Sequence, residues 1–262
     1  MDETRLPLTV HLGELRTRII RILLAWLFGS IAAWNYSDEI FALLLAPAVH
    51  ALGEGQPLQA IAPSEIFFSY VKCALLAGFI LALPVIFWQI WAFVAPGLYP
   101  TEKNTILPFV IVSSALFAGG AVFGYTQVFP PMFSFFTSYD SEMVQSAWTM
   151  SEVLRLTTRM FLAFGVAFEL PVFVFFLALA GIVDAPTLWR GTPYAILAIF
   201  VVAAIITPTP DWVSQILLAV PMVFLYLIGV GVAFAFGPSR RAATQEAALT
   251  STATSPARDR SQ

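Results

Sequence analysis

Apolar residues run along this chain in long uncharged stretches separated by short polar breaks. A helix needs roughly 20 mainly apolar residues to cross the hydrocarbon core of a bilayer. Six segments meet that pattern or come near it: residues 19–36, 66–94, 106–129, 156–182, 193–206 and 213–236. The fifth, at 14 residues, is short for a crossing. It predicts either a thinned bilayer or an extension into its polar flanks. After the first segment, Asp38 and Glu39 interrupt a further apolar run, 40–52, which reads as a surface or cavity-lining segment. Trp34, Asn35 and Tyr36 look like an interfacial belt. No small-x-small cleavage site follows the first run, so it does not read as a removable signal peptide. Residues 1–237 therefore form one membrane domain, and 238–262, rich in Ala, Thr, Ser and Arg, reads as a disordered tail.

Composition turns this pattern into a class. Of 262 residues, 59% are hydrophobic and only 11% are charged, against about 25% charged in a soluble domain. Mean hydropathy is +0.82. One cysteine, Cys73, and two histidines, His11 and His50, exclude a disulfide framework, a zinc cluster and a Cys-dependent oxidoreductase. No cofactor and no nucleic-acid partner is expected.

Charge then orients the chain, because Lys and Arg accumulate in short cytoplasmic loops. Arg5, Arg16, Arg18, Arg21, Lys103, Arg190, Arg240, Arg241, Arg258 and Arg260 all fall on one side of the predicted spans. The opposite loops carry Asp38, Glu39, Glu54, Glu65, Asp140, Glu142 and Glu152. Both termini are expected in the cytoplasm.

The costly residues are the informative ones. Glu169 lies near the middle of the fourth span, where an ionisable group costs several kcal/mol and is a functional candidate by default. Pro171 lacks an N–H and leaves the Ala167 carbonyl without its helical partner, so a kink is predicted beside the carboxyl. The alternative is a neutral carboxyl hydrogen-bonded to a neighbouring helix for packing alone, and Gln215 is a possible partner. Pro84 and Pro221 interrupt the second and sixth spans, which suits freed backbone groups facing a cavity or a neighbour. Gly120 and Gly124 form a small-xxx-small pair that reads as a helix-packing face.

At the amino-terminal end, Glu14 and Arg18 stand four residues apart and share one helix face. Taken alone, such a pair is a surface contact worth a few tenths of a kcal/mol. Glu102, in the loop after the second span, lies on the same side of the membrane. Two carboxylates flanked by apolar surface could each accept a guanidinium in a bidentate fork.

These residues, in this order, resemble the TatC family, the multi-spanning receptor subunit of the twin-arginine protein translocase. The resemblance runs from about Leu8 to Phe236. It is carried by His11-Leu-x-Glu-Leu-Arg-x-Arg18, by Pro63-x-Glu-x-Phe67 with Lys72, and by Pro84. Trp91-x-Phe-x-x-Pro-Gly-Leu-Tyr99 with Glu102 follows, then Gly120, Tyr125 and Pro130, then Phe164-Gly165 and Phe168-Glu-x-Pro171. Thr207-Pro to Asp211, Ser214-Gln215, Pro221 and Leu225-Tyr226 complete it. Two departures stand out. Leu227 occupies a position where many relatives carry an acid, and Thr207-Pro-Thr-Pro-Asp211 is one residue longer than the tightest family form.

The resemblance implies an all-α, cup-shaped or glove-like membrane protein of six transmembrane helices, the fifth and sixth short, in the prokaryotic plasma membrane. It implies that Glu14 and Glu102, with Arg16, Arg18, Phe93 and Leu98, recognise the paired arginines of a signal peptide. Glu169 and Gln215 would face the concave interior, and Asp211 would mark the extracytoplasmic tip of the last hairpin. The implied partners are twin-arginine signal peptides of folded proteins, single-span TatA and/or TatB subunits and further copies of this chain. Transport would draw on the proton motive force. A competing reading is a proton-coupled carrier of a small solute centred on Glu169, although the internal repeats usual in carriers are not found. An intramembrane enzyme lacks its residues, since there is no His-Glu-x-x-His and no Asp within a span.

Overall fold

The computed structural model describes residues 8–53, 57–94, 106–141, 147–179, 181–207 and 211–236. The helices are α1 (Leu8–Ala33), α2 (Ser37–Leu52), α3 (Pro63–Val94), α4 (Ile106–Phe123) and α5 (Phe129–Thr137). They continue with α6 (Met150–Ala167), α7 (Leu170–Leu179), α8 (Ala185–Ile206) and α9 (Trp212–Phe236). Among the described residues, six stretches are long and apolar enough to cross a membrane: Leu12–Leu52, Pro63–Phe93, Leu107–Thr137, Met150–Ala178, Ala185–Ile206 and Trp212–Ala235. This is an all-α, multi-pass membrane protein. The proposed tail, 238–262, lies outside the described residues.

Two compact units make up the chain: residues 1–169 with 202–218, and residues 170–201 with 219–262. In the first, α1 lies along α3 at a crossing of bare backbone. A Cβ on Gly29 would stand 2.7 Å from the Gly78 carbonyl oxygen, and one on Gly78 would run into the Ser30 backbone and hydroxyl. Small residues let the helices approach this closely, which in lipid is the main source of helix association. Trp26 adds a bond across the same interface, its indole N–H donating to the Leu75 carbonyl at 2.8 Å. The other faces of α1 expose Leu23, Leu27, Phe28 and Ile31, as expected of a helix bathed in acyl chains.

The run 40–52 belongs to α2, entered through a 3₁₀ turn at Trp34–Tyr36. Its Leu44, Leu45 and Ala48 are buried, while Ile40, Leu43 and Leu44 line an apolar cavity of about 620 Å³ shared with Leu76 and Val122. The cavity-lining expectation is therefore met, with the addition that one face of α2 packs into the core.

The third span is longer than the sequence pattern suggested. α4 widens into a π turn at Gly124–Val128 and continues as α5 to Thr137. Pro130 and Pro131 have no N–H for an i−4 carbonyl, and the wide turn, closed by the Phe129 N–H on the Gly124 carbonyl, accommodates them. The predicted glycine pair does pack helices. A Cβ on Gly120 would meet the Phe164 carbonyl oxygen at 2.5 Å, and one on Gly124 would meet the Phe164 ring at the same distance.

Of the two readings of the fifth span, the helix takes the extension into its polar flank. α8 has 22 residues and begins at Ala185, not at 193, giving about 33 Å of helix. The Asp184 side chain accepts the Thr187 N–H at 3.3 Å and starts the helix, which runs on through Pro193. α3 and α9 likewise continue through Pro84 and Pro221. Within the second unit, the Tyr226 hydroxyl donates to the Leu188 carbonyl at 2.8 Å, tying α9 to α8. α7 ends on Gly181, whose φ of +68° permits the Ile182 N–H to reach the Leu177 carbonyl.

Candidate functional site

The Glu14 and Arg18 side chains meet at the start of α1 as their spacing predicted, but the contact is no simple surface pair. Arg18 donates from Nε (3.0 Å) and Nη2 to one oxygen of Glu14, Oε1. The same guanidinium reaches the last turn of α3. Nη1 lies 3.4 Å from both the backbone oxygen and Oε1 of Gln89, and Nη2 lies 3.1 Å from the Ala92 carbonyl. It also sits 5.9 Å over the Phe93 ring, within cation–π range. The terminal carbonyls of a helix have no partner within it and carry the negative end of its dipole, so a cation with five donors suits this place. The Arg18 side chain is only 16% exposed, against 45% for Glu14.

Both Arg18 bonds fall on Oε1, so Arg18 pins the Glu14 carboxylate by one oxygen and leaves Oε2 on the exposed side chain for another donor. Arg16 is exposed, two residues along and so on a different face of the helix. Leu98 and Glu102 lie outside the described residues. The structure thus brings Glu14, Arg18 and Phe93 together and adds Gln89, which the sequence reading missed. Its only sequence signal is a polar residue in the otherwise apolar second half of α3.

Deeper in the same unit, the helix break predicted at Pro171 falls at Phe168 and Glu169, which form a turn between α6 and α7. The Glu169 N–H bonds to the Val166 carbonyl in a tightened i−3 closure. Elsewhere in this unit, Ser113 of α4 accepts the Trp91 indole N–H of α3 at 3.2 Å. Oε1 of Glu169 is buried and has no hydrogen-bond partner among the described residues. Gln215, proposed as a partner for Glu169, stands half-buried in the first turn of α9. Asp211 precedes α9, and its carboxylate accepts the Ser214 N–H at 2.7 Å, the work of a helix cap.

Comparison with known proteins identifies the family. The family model for the Sec-independent protein translocase protein TatC matches residues 10–221. The chain belongs to the TatC family. Among relatives of that name, the one from Desulforapulum autotrophicum is 43% identical over 94% of this chain and 91% of its own. That from Koribacter versatilis is 42% identical over 90% and 88%, and that from Escherichia coli K12 is 37% identical over 86% of each. A crystal structure of the twin arginine translocase receptor TatC matches with a TM-score of 0.76 at 33% identity, covering 86% of this chain and 98% of that one. The same receptor in the detergent DDM matches with a TM-score of 0.76. The family is one of protein-translocase components, not of enzymes or solute carriers, which decides against the carrier centred on Glu169.

Proposed function

We propose that this chain is the signal-reading receptor of a twin-arginine translocase in the prokaryotic plasma membrane, with both termini in the cytoplasm. Glu14, Arg16, Arg18 and Phe93, together with Leu98 and Glu102 of the following loop, take the paired arginines of a signal peptide. The observation that carries the reading is the half-occupied Glu14 carboxylate. Arg18, held by Gln89 and Ala92, fixes Oε1, and the exposed Oε2 is offered to an incoming guanidinium beside the Phe93 ring. A charge-assisted bond to a carboxylate whose rotamer is already set loses less entropy than one to a mobile side chain.

Single-span TatA and/or TatB subunits and further copies of this chain complete the complex, and the proton motive force drives export of folded proteins. Glu169 and Gln215 serve transport, and Asp211 shapes the extracytoplasmic hairpin. The test is photo-cross-linking, in membranes, of a signal peptide carrying Arg-Arg and of its Lys-Lys counterpart to a probe placed at Leu15. Strong labelling by the first and at least about tenfold weaker labelling by the second is expected; equal labelling would overturn the reading.

A further inference from the structure

We propose that Arg155 and Arg159 of α6 form a headgroup site for one anionic phospholipid, in the leaflet at the amino-terminal end of that helix. The site goes beyond signal recognition and holds whether or not Glu14 reads a signal. Of the thirteen basic residues, ten lie on the side expected to be cytoplasmic, and Arg155 and Arg159 are two of the three that do not. Basic residues placed against that bias need a local cause. The two stand four residues apart, one above the other on a single helix face. The opposite face of α6, with Val153, Leu154, Thr157, Met160 and Phe164, is buried. The arginine pair therefore points away from the packed core, and both members are exposed.

Depth fits a lipid phosphate. In the span Met150–Ala178, Glu152, Arg155 and Arg159 precede Met160, and Glu169 is the one charge after it. As helix, the residues from Met160 to Ala178 rise about 28 Å, close to the hydrocarbon thickness of about 30 Å. Arg159 thus stands at the edge of the hydrocarbon, and Arg155, about 6 Å further along the axis, stands in the headgroup layer. Val166, seven residues beyond Arg159, continues the same face and is 62% exposed, an apolar strip for the acyl chain.

Charge fits as well. Glu152 holds Arg155 in an ion pair of 3.1 Å, while Arg159 has no ion pair or hydrogen bond among the described residues. One acid against two bases leaves a single positive charge, which one phosphodiester balances. A guanidinium meets phosphate oxygens as a planar fork, and Arg155 keeps donors beyond the one spent on Glu152. An arginine at this depth is costly without an anion beside it, and the leaflet supplies one at the required height.

The experiment reconstitutes the full chain in nanodiscs of phosphatidylglycerol and phosphatidylcholine in equal amounts. After extraction into mild detergent, native mass spectrometry reads the lipid retained per chain. The parent should keep one phosphatidylglycerol in preference to phosphatidylcholine. Arg159→Gln should lower that retention about fivefold, and Arg155→Gln with Arg159→Gln about 25-fold, the usual strength of an arginine beside an anionic lipid surface. Arg159→Lys keeps the charge and should retain more than Arg159→Gln. Equal retention of the two lipids, or retention unchanged in the double variant, would overturn the site. A loss in Arg159→Lys as large as in Arg159→Gln would also overturn it, because the charge would then not be the cause. A photo-reactive residue at Val166, used in native membranes, should give phospholipid adducts. A polypeptide adduct there that disappears in Arg159→Gln would place a protein carboxylate on this face and overturn the lipid assignment.

Discussion

Glu65, at the start of α3, accepts the backbone N–H of Ser151, at the start of α6, at 2.9 Å. The same carboxylate takes the N–H groups of Ile61 at 2.8 Å and Ala62 at 3.4 Å. Beside it, Gln59 forms an isolated bridge with Thr149: its N–H reaches the Trp148 carbonyl at 3.0 Å, and its carbonyl accepts the Met150 N–H at 2.9 Å. The loop before α3 and the start of α6 thus share one acceptor, and helix N-termini favour a negative charge. Glu65→Ala should speed amide exchange at Ile61, Ala62 and Ser151 while the middle of α3 keeps its protection. Hydrogen–deuterium exchange read by mass spectrometry checks this, and unchanged exchange at Ser151 would count against the latch.

The Arg18 clamp makes a prediction about charge and shape separately. Glu14→Lys should abolish cross-linking to an Arg-Arg signal peptide and leave the protein in the membrane, because the site then meets a guanidinium with a cation. Glu102→Lys should do the same. Arg18→Lys should weaken cross-linking by about tenfold, since an ammonium has no planar fork to span Glu14, Gln89 and Ala92 together. Unchanged cross-linking in both glutamate variants would remove the recognition role.

Glu169 should separate binding from transport. Glu169→Ala is expected to impair export by much more than it impairs signal binding, because it lies at the break between α6 and α7 and is not among the groups that hold Arg18. An export assay at matched expression decides the matter. Full activity would leave Glu169 a packing residue.

The crossing of α1 over α3 sets a contrast between two glycines. Gly78→Ala places a methyl against the Ser30 backbone nitrogen and hydroxyl, and overpacking of this kind costs about 1–3 kcal/mol. Gly119→Ala, with nothing within 4 Å of its Cβ, should instead be neutral or stabilise by up to about 1 kcal/mol, the helix preference of alanine over glycine. Thermal unfolding in detergent should order the three proteins as Gly119→Ala at or above the parent and Gly78→Ala below it.

Much of this was legible in the residues, for identifiable reasons. The six spans follow from uncharged length, which lipid enforces on any sequence. The break at Phe168 and Glu169 follows from the missing N–H of Pro171, and the meeting of Glu14 with Arg18 follows from helix geometry. The start of α8 went unread because Arg190 and Pro193 resemble breakers. Its true signal was Asp184, a capping residue three positions before Thr187. Gln89 and Ser113 escaped for a different reason: each acquires its role only from a neighbouring helix, and no local pattern marks a polar residue that will face one.

The π turn at Gly124–Val128 has a bearing on how this chain tolerates insertion and deletion. A π turn holds one residue more than an α-helical turn, and each residue rotates an α-helix by about 100°. Removing a residue from α5 would therefore swing Phe129, Met132 and Phe133, now fully buried, toward the lipid. Removing one from within 124–128, together with replacing Pro130 and Pro131 by alanine, would close the turn to ordinary helix and keep those three rings and chains facing inward. The surplus residue and the two prolines are a matched set, to be lost or kept together.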